Sequence, residues 1–257
     1  MTQTINNKIR RGFSAAAKRY DLYSSLHREI ADKLLAQVAK ERAPSALLDV
    51  GCGTGYLTSR LKEQFPQSKI IGLDFSPEML KMAADKHDGI DWVLADGNNL
   101  PFSDGSIDIL TSNLAYQWAE GLSGNFTQAR RVLSPNGVLA CTLFGYHTCQ
   151  ELFNSLLEAK KEDLIFTRLP SQEQVREALI SSGFNESMVE EEQIKIYFKD
   201  MHELIAWLKI IGANNLPREG YVGKEAFGRA ASIYRERFSY NNGIQATFEV
   251  IKVYAKK

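Results

Sequence analysis

Little in this chain points to metal, redox or membrane chemistry. The 257 residues include only three cysteines, Cys52, Cys141 and Cys149; none has metal-ligand or redox spacing, so they read as reduced thiols and no metal site is expected. The four histidines, His27, His87, His147 and His202, are scattered and form no pairing with an acid. Each reads as a surface or packing residue, with His147 a partial exception because it follows a predicted strand. No apolar run approaches the ~20 residues that a bilayer requires, and the basic N-terminus lacks the apolar core of a signal peptide, so the cytoplasm is the expected location. Neither sign of charge is in excess, since 31 basic residues cancel 31 acidic ones. No global field therefore favours nucleic acid or a membrane, and an electrostatic partner has to be met by a local patch. The first twenty residues supply one candidate, with Lys8, Arg10, Arg11, Lys18 and Arg19 and no acid before Asp21; a solvated helix face is the other reading.

What the chain does have is the stretch Leu47 to Gly55, LLDVGCGTG. An apolar run enters three glycines at alternate positions, which predicts a buried strand running into a tight turn. Gly51, Gly53 and Gly55 can take positive φ and expose backbone N–H groups at the start of the next helix, where a nucleotide or nucleoside can lie. The residue that would be the third glycine of the dinucleotide fingerprint GxGxxG is Tyr56. Predicted strands then alternate with helices: Lys69 to Leu73, Asp91 to Leu94, Ile107 to Leu114 and Val138 to Phe144, with later strands at Gln193 to Phe198 and Ala246 to Tyr254. Such alternation predicts an α/β fold, a Rossmann-like, doubly wound, seven-stranded and mainly parallel sheet. Residues 1–257 read as a single domain with an N-terminal helical arm (1–23), a cofactor-binding core (44–145) and helical substrate-cap segments (146–190 and 199–243).

Candidate site residues fall at strand ends. Asp74 closes the second strand 19 residues past Gly55, where a Rossmann-like fold places the acid that accepts from ribose hydroxyls; a helix cap is the alternative, although Ser76 and Pro77 already supply one. Asn113, Leu114, Gln117 and Trp118, in SNLAYQW at the end of the fourth strand, should border the reactive end of a cofactor. On the arm, Phe13, Ala16, Ala17 and Tyr20 share one helical face, with Phe13 and Tyr20 candidates for a lid.

The pattern D-x-G-x-G-x-G resembles the first motif of class I S-adenosylmethionine-dependent methyltransferases. That resemblance implies S-adenosyl-L-methionine as cofactor, Asp96 on the adenine amino group, and Asp49 ordering the loop and positioning the methionine amino group. Cys52, Phe75 and Gly97 go with them as neighbouring cofactor contacts. A nicotinamide-dependent oxidoreductase is the runner-up, disfavoured by Tyr56 and by the lack of a Tyr-x-x-x-Lys pair. More narrowly, GFSAAAKRYD, SNLAYQW, RLP at Arg168 to Pro170 and LKIIGANN at Leu208 to Asn215 are similar to the malonyl-acyl-carrier-protein O-methyltransferases of biotin synthesis. The resemblance implies methyl transfer to the free carboxylate of a malonyl thioester, carried by acyl-carrier protein or coenzyme A. A carboxylate with a pKa near ~4 is ionised at neutral pH, so no general base is required. Tyr20, Arg168 and Trp118 are then the candidate catalytic residues, with Arg168 holding one acceptor oxygen. A C-methyltransferase of a quinone precursor and a noncatalytic cofactor-binding module remain the alternatives.

Overall fold

The computed structural model describes residues 2–118, 121–160, 165 and 166, 169–211, 218 and 219, and 222–257. Helices α1 (Thr2–Tyr23) and α2 (Ser25–Val38) come first, parted at Ser24. Then follow β1 (Ala46–Val50), α3 (Tyr56–Gln64), β2 (Lys69–Asp74), α4 (Pro77–Ala84), β3 (Asp91–Leu94) and β4 (Ile107–Asn113). A 3-10 turn at Tyr116–Trp118 leads to α5 (Leu122–Val132) and β5 (Leu133–Phe144). The second half holds α6 (Gln150–Lys160), β6 (Ile165–Phe166), α7 (Gln172–Ser181), β7 (Glu186–Phe198), α8 (Met201–Ile210), β8 (Arg218–Glu219), α9 (Lys224–Phe238), β9 (Ser239–Tyr240) and β10 (Gly243–Lys256).

Seven strands form the sheet in the order β3-β2-β1-β4-β5-β10-β7, with β9 paired to the side of β10. Strands β1 to β5 run parallel, and β10 runs antiparallel to both of its long neighbours. The strand order reverses at β1 and β4, and a crevice opens there at their carboxyl ends. Alternate side chains separate two faces. Leu47 gathers with Leu34 and Val38 of α2 and Leu57 and Leu61 of α3, whereas Leu48 and Val50 join Phe126, Ala129 and Val132 of α5. Each such buried leucine contributes roughly 1.5–3 kcal/mol.

Two boundaries differ from the sequence expectation. Helix α7 was expected in the cap, but its Val175, Ala178 and Leu179 belong to the same sheet-covering cluster as α5. An amphipathic stripe tells that a face is buried and not which surface buries it. The segment over the β10 end is α6, α8 and α9, whose Leu152, Leu156, Leu204, Ala230 and Tyr234 form a separate cluster. Strand β7 starts at Glu186 rather than Gln193 because Glu190 and Glu191 mask its alternation. As an edge strand paired only with β10 among the described residues, it keeps those glutamates exposed.

Candidate active site

Where β1 ends, the chain turns beneath β2: the N–H groups of Gly51 and Cys52 both donate to the Leu73 carbonyl, at 2.7 and 3.0 Å. Gly51, Gly53 and Gly55 take φ of +73°, +55° and +86°, a region that residues with a Cβ enter at a penalty. The three glycines have different surroundings. A Cβ on Gly51 would lie 2.3 Å from that of Ala115, so its absence lets the loop touch the turn after β4. On Gly55 it would strike Trp92 and His87 at 2.8 and 2.9 Å. On Gly53 it meets no protein atom within 4 Å. Gly51 and Gly53 border a cleft of about 810 Å³, counting its open mouth, while Gly55 packs α3 against its neighbours. Cys52 reaches only an inner recess, its sulfur lies close to Gly72, and burial pushes its thiol well above the ordinary range.

Two carboxylates form the floor. Asp74, 6% exposed, accepts from the Gly53 N–H at 2.9 Å through one oxygen and from the Ser76 N–H at 2.8 Å through the other. Burial raises its pKa to about 6, against the opposing pull of those backbone N–H groups. Asp49 accepts from Thr58 Oγ1 at 2.6 Å and Thr111 Oγ1 at 3.0 Å, which ties the end of β1 to α3 and β4. Burial lifts it to about 6 as well; the two threonines oppose this and nearby Asp74 adds to it. Asp96, after β3, is exposed and accepts from the Asn98 backbone and side-chain N–H groups at 2.9 and 2.8 Å. Gly97 follows it, where a Cβ would press on Val50 at 3.1 Å.

The far wall is the end of β4. Asn113 is committed to the frame: its amide donates to the His27 carbonyl at 3.0 Å and its oxygen accepts from Thr142 Oγ1 at 2.8 Å. Leu114 takes φ +52°, an uncommon conformation for a branched residue that aims the following turn into the cleft. Helix α1 supplies the roof. Phe13 meets Trp118 and Phe75 edge to face, at ring-centroid distances of 5.7 and 6.5 Å. Tyr20 lies between the cleft and the recess, and burial, with Asp74 and Asp21 adding, pushes its hydroxyl up in pKa, so it stays protonated at neutral pH. The arm is held to the loop by Thr54 Oγ1 donating to Asp21 at 2.6 Å, to the residues flanking α4 by a Lys86–Asp21 ion pair and a Ser14–Ser76 contact at 3.0 Å, and to α8 by Trp207 Nε1 donating to the Tyr23 carbonyl at 3.0 Å. Arg168 lies outside the described residues.

One cleft thus brings together Phe13, Tyr20, Gly51, Gly53, Asp74 and Phe75 from the amino-terminal side, and Asp96, Gly97, Asn113, Leu114 and Trp118 from the other. Asp49 and Cys52 border the adjoining recess, which shares Tyr20, Gly51, Gly53 and Asn113 with the cleft. Buried acceptors at two successive strand ends, beside an open glycine, fit a cationic nucleoside that donates from its ribose and amino groups.

Sequence reasoning passed over Arg28 and Asn125, and read His27 only as a surface or packing residue. Burial pushes His27 down to about 4, and it lies edge-on to Tyr20 and Phe144, both at 5.7 Å. Asn125, 1% exposed in α5, donates to Asn98 at 3.1 Å and to the Gly121 carbonyl at 3.0 Å, so it props the loop behind Asp96. An amide inside an otherwise apolar helical stripe was the available sign of it. For Arg28 the sign was a cation in the first turn of a helix, against the macrodipole.

A seven-stranded sheet with β10 reversed, a glycine loop after β1 and an acid closing β2 define a class I S-adenosylmethionine-dependent methyltransferase. Residues 48–141 match the family described as methyltransferase domain. The fold resembles the YcgJ protein of Bacillus subtilis (TM-score 0.63, 17% identity, 88% of this chain and 97% of that one). It also resembles a SAM-dependent methyltransferase of Thermotoga maritima (TM-score 0.57, 17% identity, 96% and 99%). In sequence the chain is 34% identical to the malonyl-acyl-carrier-protein O-methyltransferase of Hahella chejuensis, over 97% of this chain and 90% of the relative. It is 32% identical to that of Geobacter sulfurreducens, over 95% and 96%. The chain belongs to the malonyl-acyl-carrier-protein O-methyltransferase family. No described helix is long and apolar enough to cross a membrane.

Proposed function

We propose that the chain transfers the methyl group of S-adenosylmethionine to the free carboxylate of a malonyl group held on acyl-carrier protein, so that the esterified chain passes through elongation toward biotin. A 34% identity over 97% of this chain to a malonyl-acyl-carrier-protein O-methyltransferase carries this reading. When bound, S-adenosylmethionine supplies an electrophilic sulfonium methyl group. Asp74 would accept from the ribose hydroxyls and Asp96 from the adenine amino group, with Gly51 and Gly53 clearing the space. The acceptor carboxylate is ionised at neutral pH and needs no base. The surrounding groups agree with this: Tyr20 stays protonated, and His27, pushed down to about 4 by burial, is a weak base. The chain's contribution is alignment and exclusion of water, worth roughly 7–11 kcal/mol when reacting atoms are held in near-attack geometry. An intact-mass measurement of malonyl-carrier protein incubated with S-adenosylmethionine and enzyme tests the transfer. It should gain one methylene, and unloaded carrier should gain nothing.

The arm serves as the lid, with Phe13 and Tyr20 on its inner side. Tyr20→Ala should lower kcat/KM by roughly 10²-fold through loosened alignment, and Tyr20→Phe by less, because the ring still packs. Wild-type turnover and cofactor affinity in both variants would remove the lid.

The outward side of the arm carries exposed Arg11, Lys18 and Arg19, a surface suited to an acidic carrier protein. Raising ionic strength should increase KM for the carrier-linked substrate several-fold, with little change for a small malonyl thioester. Equal salt effects on both would place the carrier elsewhere.

A further inference from the structure

The inner recess is lined by Asp21 and Asp49 on its acidic side and by one permanent cation, Arg28. Among the described lining residues of cleft and recess together, no other arginine or lysine appears. Arg28 is incompletely satisfied. One terminal nitrogen donates to the Asp21 backbone carbonyl, but Nε is buried without a hydrogen-bond partner. Arg28 forms no ion pair with a described carboxylate. Its guanidinium lies 5.4 Å from the centre of the Tyr56 ring, and Tyr56 is in turn fixed by Asp32, both of whose oxygens are 3.1 Å from its hydroxyl. A guanidinium with an unpartnered buried Nε, set beside the Tyr56 ring at the start of a helix, is prepared for an incoming anion.

Resting on the methyl-donor reading above, we propose that Arg28 binds the carboxylate of the donor's amino-acid end. That end is a zwitterion. Its ammonium and the neighbouring sulfonium suit the Asp49 and Asp74 floor, whereas its carboxylate finds a lasting counter-charge in the recess only at Arg28. The malonyl carboxylate has the same chemistry, but a guanidinium fork on the attacking oxygen would stabilise the reactant and slow attack.

Two ligands separate the sources. S-adenosylhomocysteine carries the amino-acid end, and 5′-methylthioadenosine is the nucleoside thioether without it. By calorimetry, Arg28→Met should weaken S-adenosylhomocysteine by about 30-fold or more, the scale of a lost charge-assisted pair. It should leave 5′-methylthioadenosine within about twofold, and Arg28→Lys should recover part of the loss. Arg28→Gln, which keeps a donor and most of the stem, should show the same selectivity and carries the test if the methionine variant does not fold. Equal losses of both ligands would overturn the assignment. So would unchanged S-adenosylhomocysteine affinity with a raised KM for malonyl-carrier protein, which would move Arg28 to the acceptor. Wild-type protein that binds neither ligand would overturn the donor reading itself.

Discussion

Asp74→Asn should weaken S-adenosylhomocysteine binding by ~10²–10⁴-fold, because in the proposed ribose role two hydroxyls would lose a charged acceptor and each such bond is worth about 1.5–3 kcal/mol. The substitution also disturbs the apo loop. The two Asp74 oxygens accept from different N–H groups, Gly53 and Ser76, so an amide leaves one buried donor facing an NH₂. Unfolding temperatures should therefore fall as well, and affinity must be measured well below the transition. Asp96→Asn makes the comparison, since Asp96 is exposed and accepts only from its own loop among the described residues; its loss should be smaller and without effect on stability. A wild-type affinity in Asp74→Asn would remove Asp74 from the site.

The same carboxylate sets a pH dependence. Asp74 and Asp49 rise from 3.8 to about 6 on burial. In the proposed role the nucleoside would bind the ionised form, so affinity should fall as pH drops from 7 toward 5, and binding near pH 6 should release protons into the buffer. For the unliganded fold the sign is reversed. Between pH 4 and 6 the folded state holds protons that the unfolded chain has lost, so stability declines as pH rises through that window and then levels. Unfolding temperatures with and without S-adenosylhomocysteine should diverge as pH rises.

Gly53→Ala should abolish cofactor binding at little expense to the fold. Its φ of +55° makes a side chain unfavourable by about 1–2 kcal/mol, and no protein atom lies within 4 Å of the added methyl. The methyl stands instead in the space that the loop borders. Gly51→Ala provides the contrast, because the same backbone penalty is joined by a 2.3 Å approach to Ala115. Overpacking of that kind adds about 1–3 kcal/mol, so stability and binding should fall together. Thermal unfolding beside calorimetry distinguishes the two. Gly53→Ala protein that binds like wild type would mean that the ligand does not approach the loop there.

Most of the frame was legible in the sequence because its cues are local. The apolar run into Gly51, the Ser76–Pro77 start of α4 and the acid at Asp74 depend on neighbours in the chain, and the structure shows the strand, the cap and the strand-end acid in those places. Features set by distant partners were not legible. Gly55 resembled a ligand glycine until Trp92 and His87 were seen against it. Asn113 borders the cleft as expected, but that Thr142 and the His27 carbonyl take up its side-chain amide depends on distant partners. Arg28 carries no local cue to the recess: the break between α1 and α2 at Ser24 is what brings His27 and Arg28 over it. The surface that α7 covers followed the same rule, since helical periodicity carries no information about its partner.

Carboxyl O-methylation is tested most directly by the fate of the transferred carbon. Malonyl-carrier protein should be incubated with enzyme and methyl-labelled S-adenosylmethionine, and the product then treated with mild alkali. Transfer to the carboxylate predicts that the label leaves as methanol. Label retained on a non-volatile methylmalonate would place the new bond on carbon and contradict it.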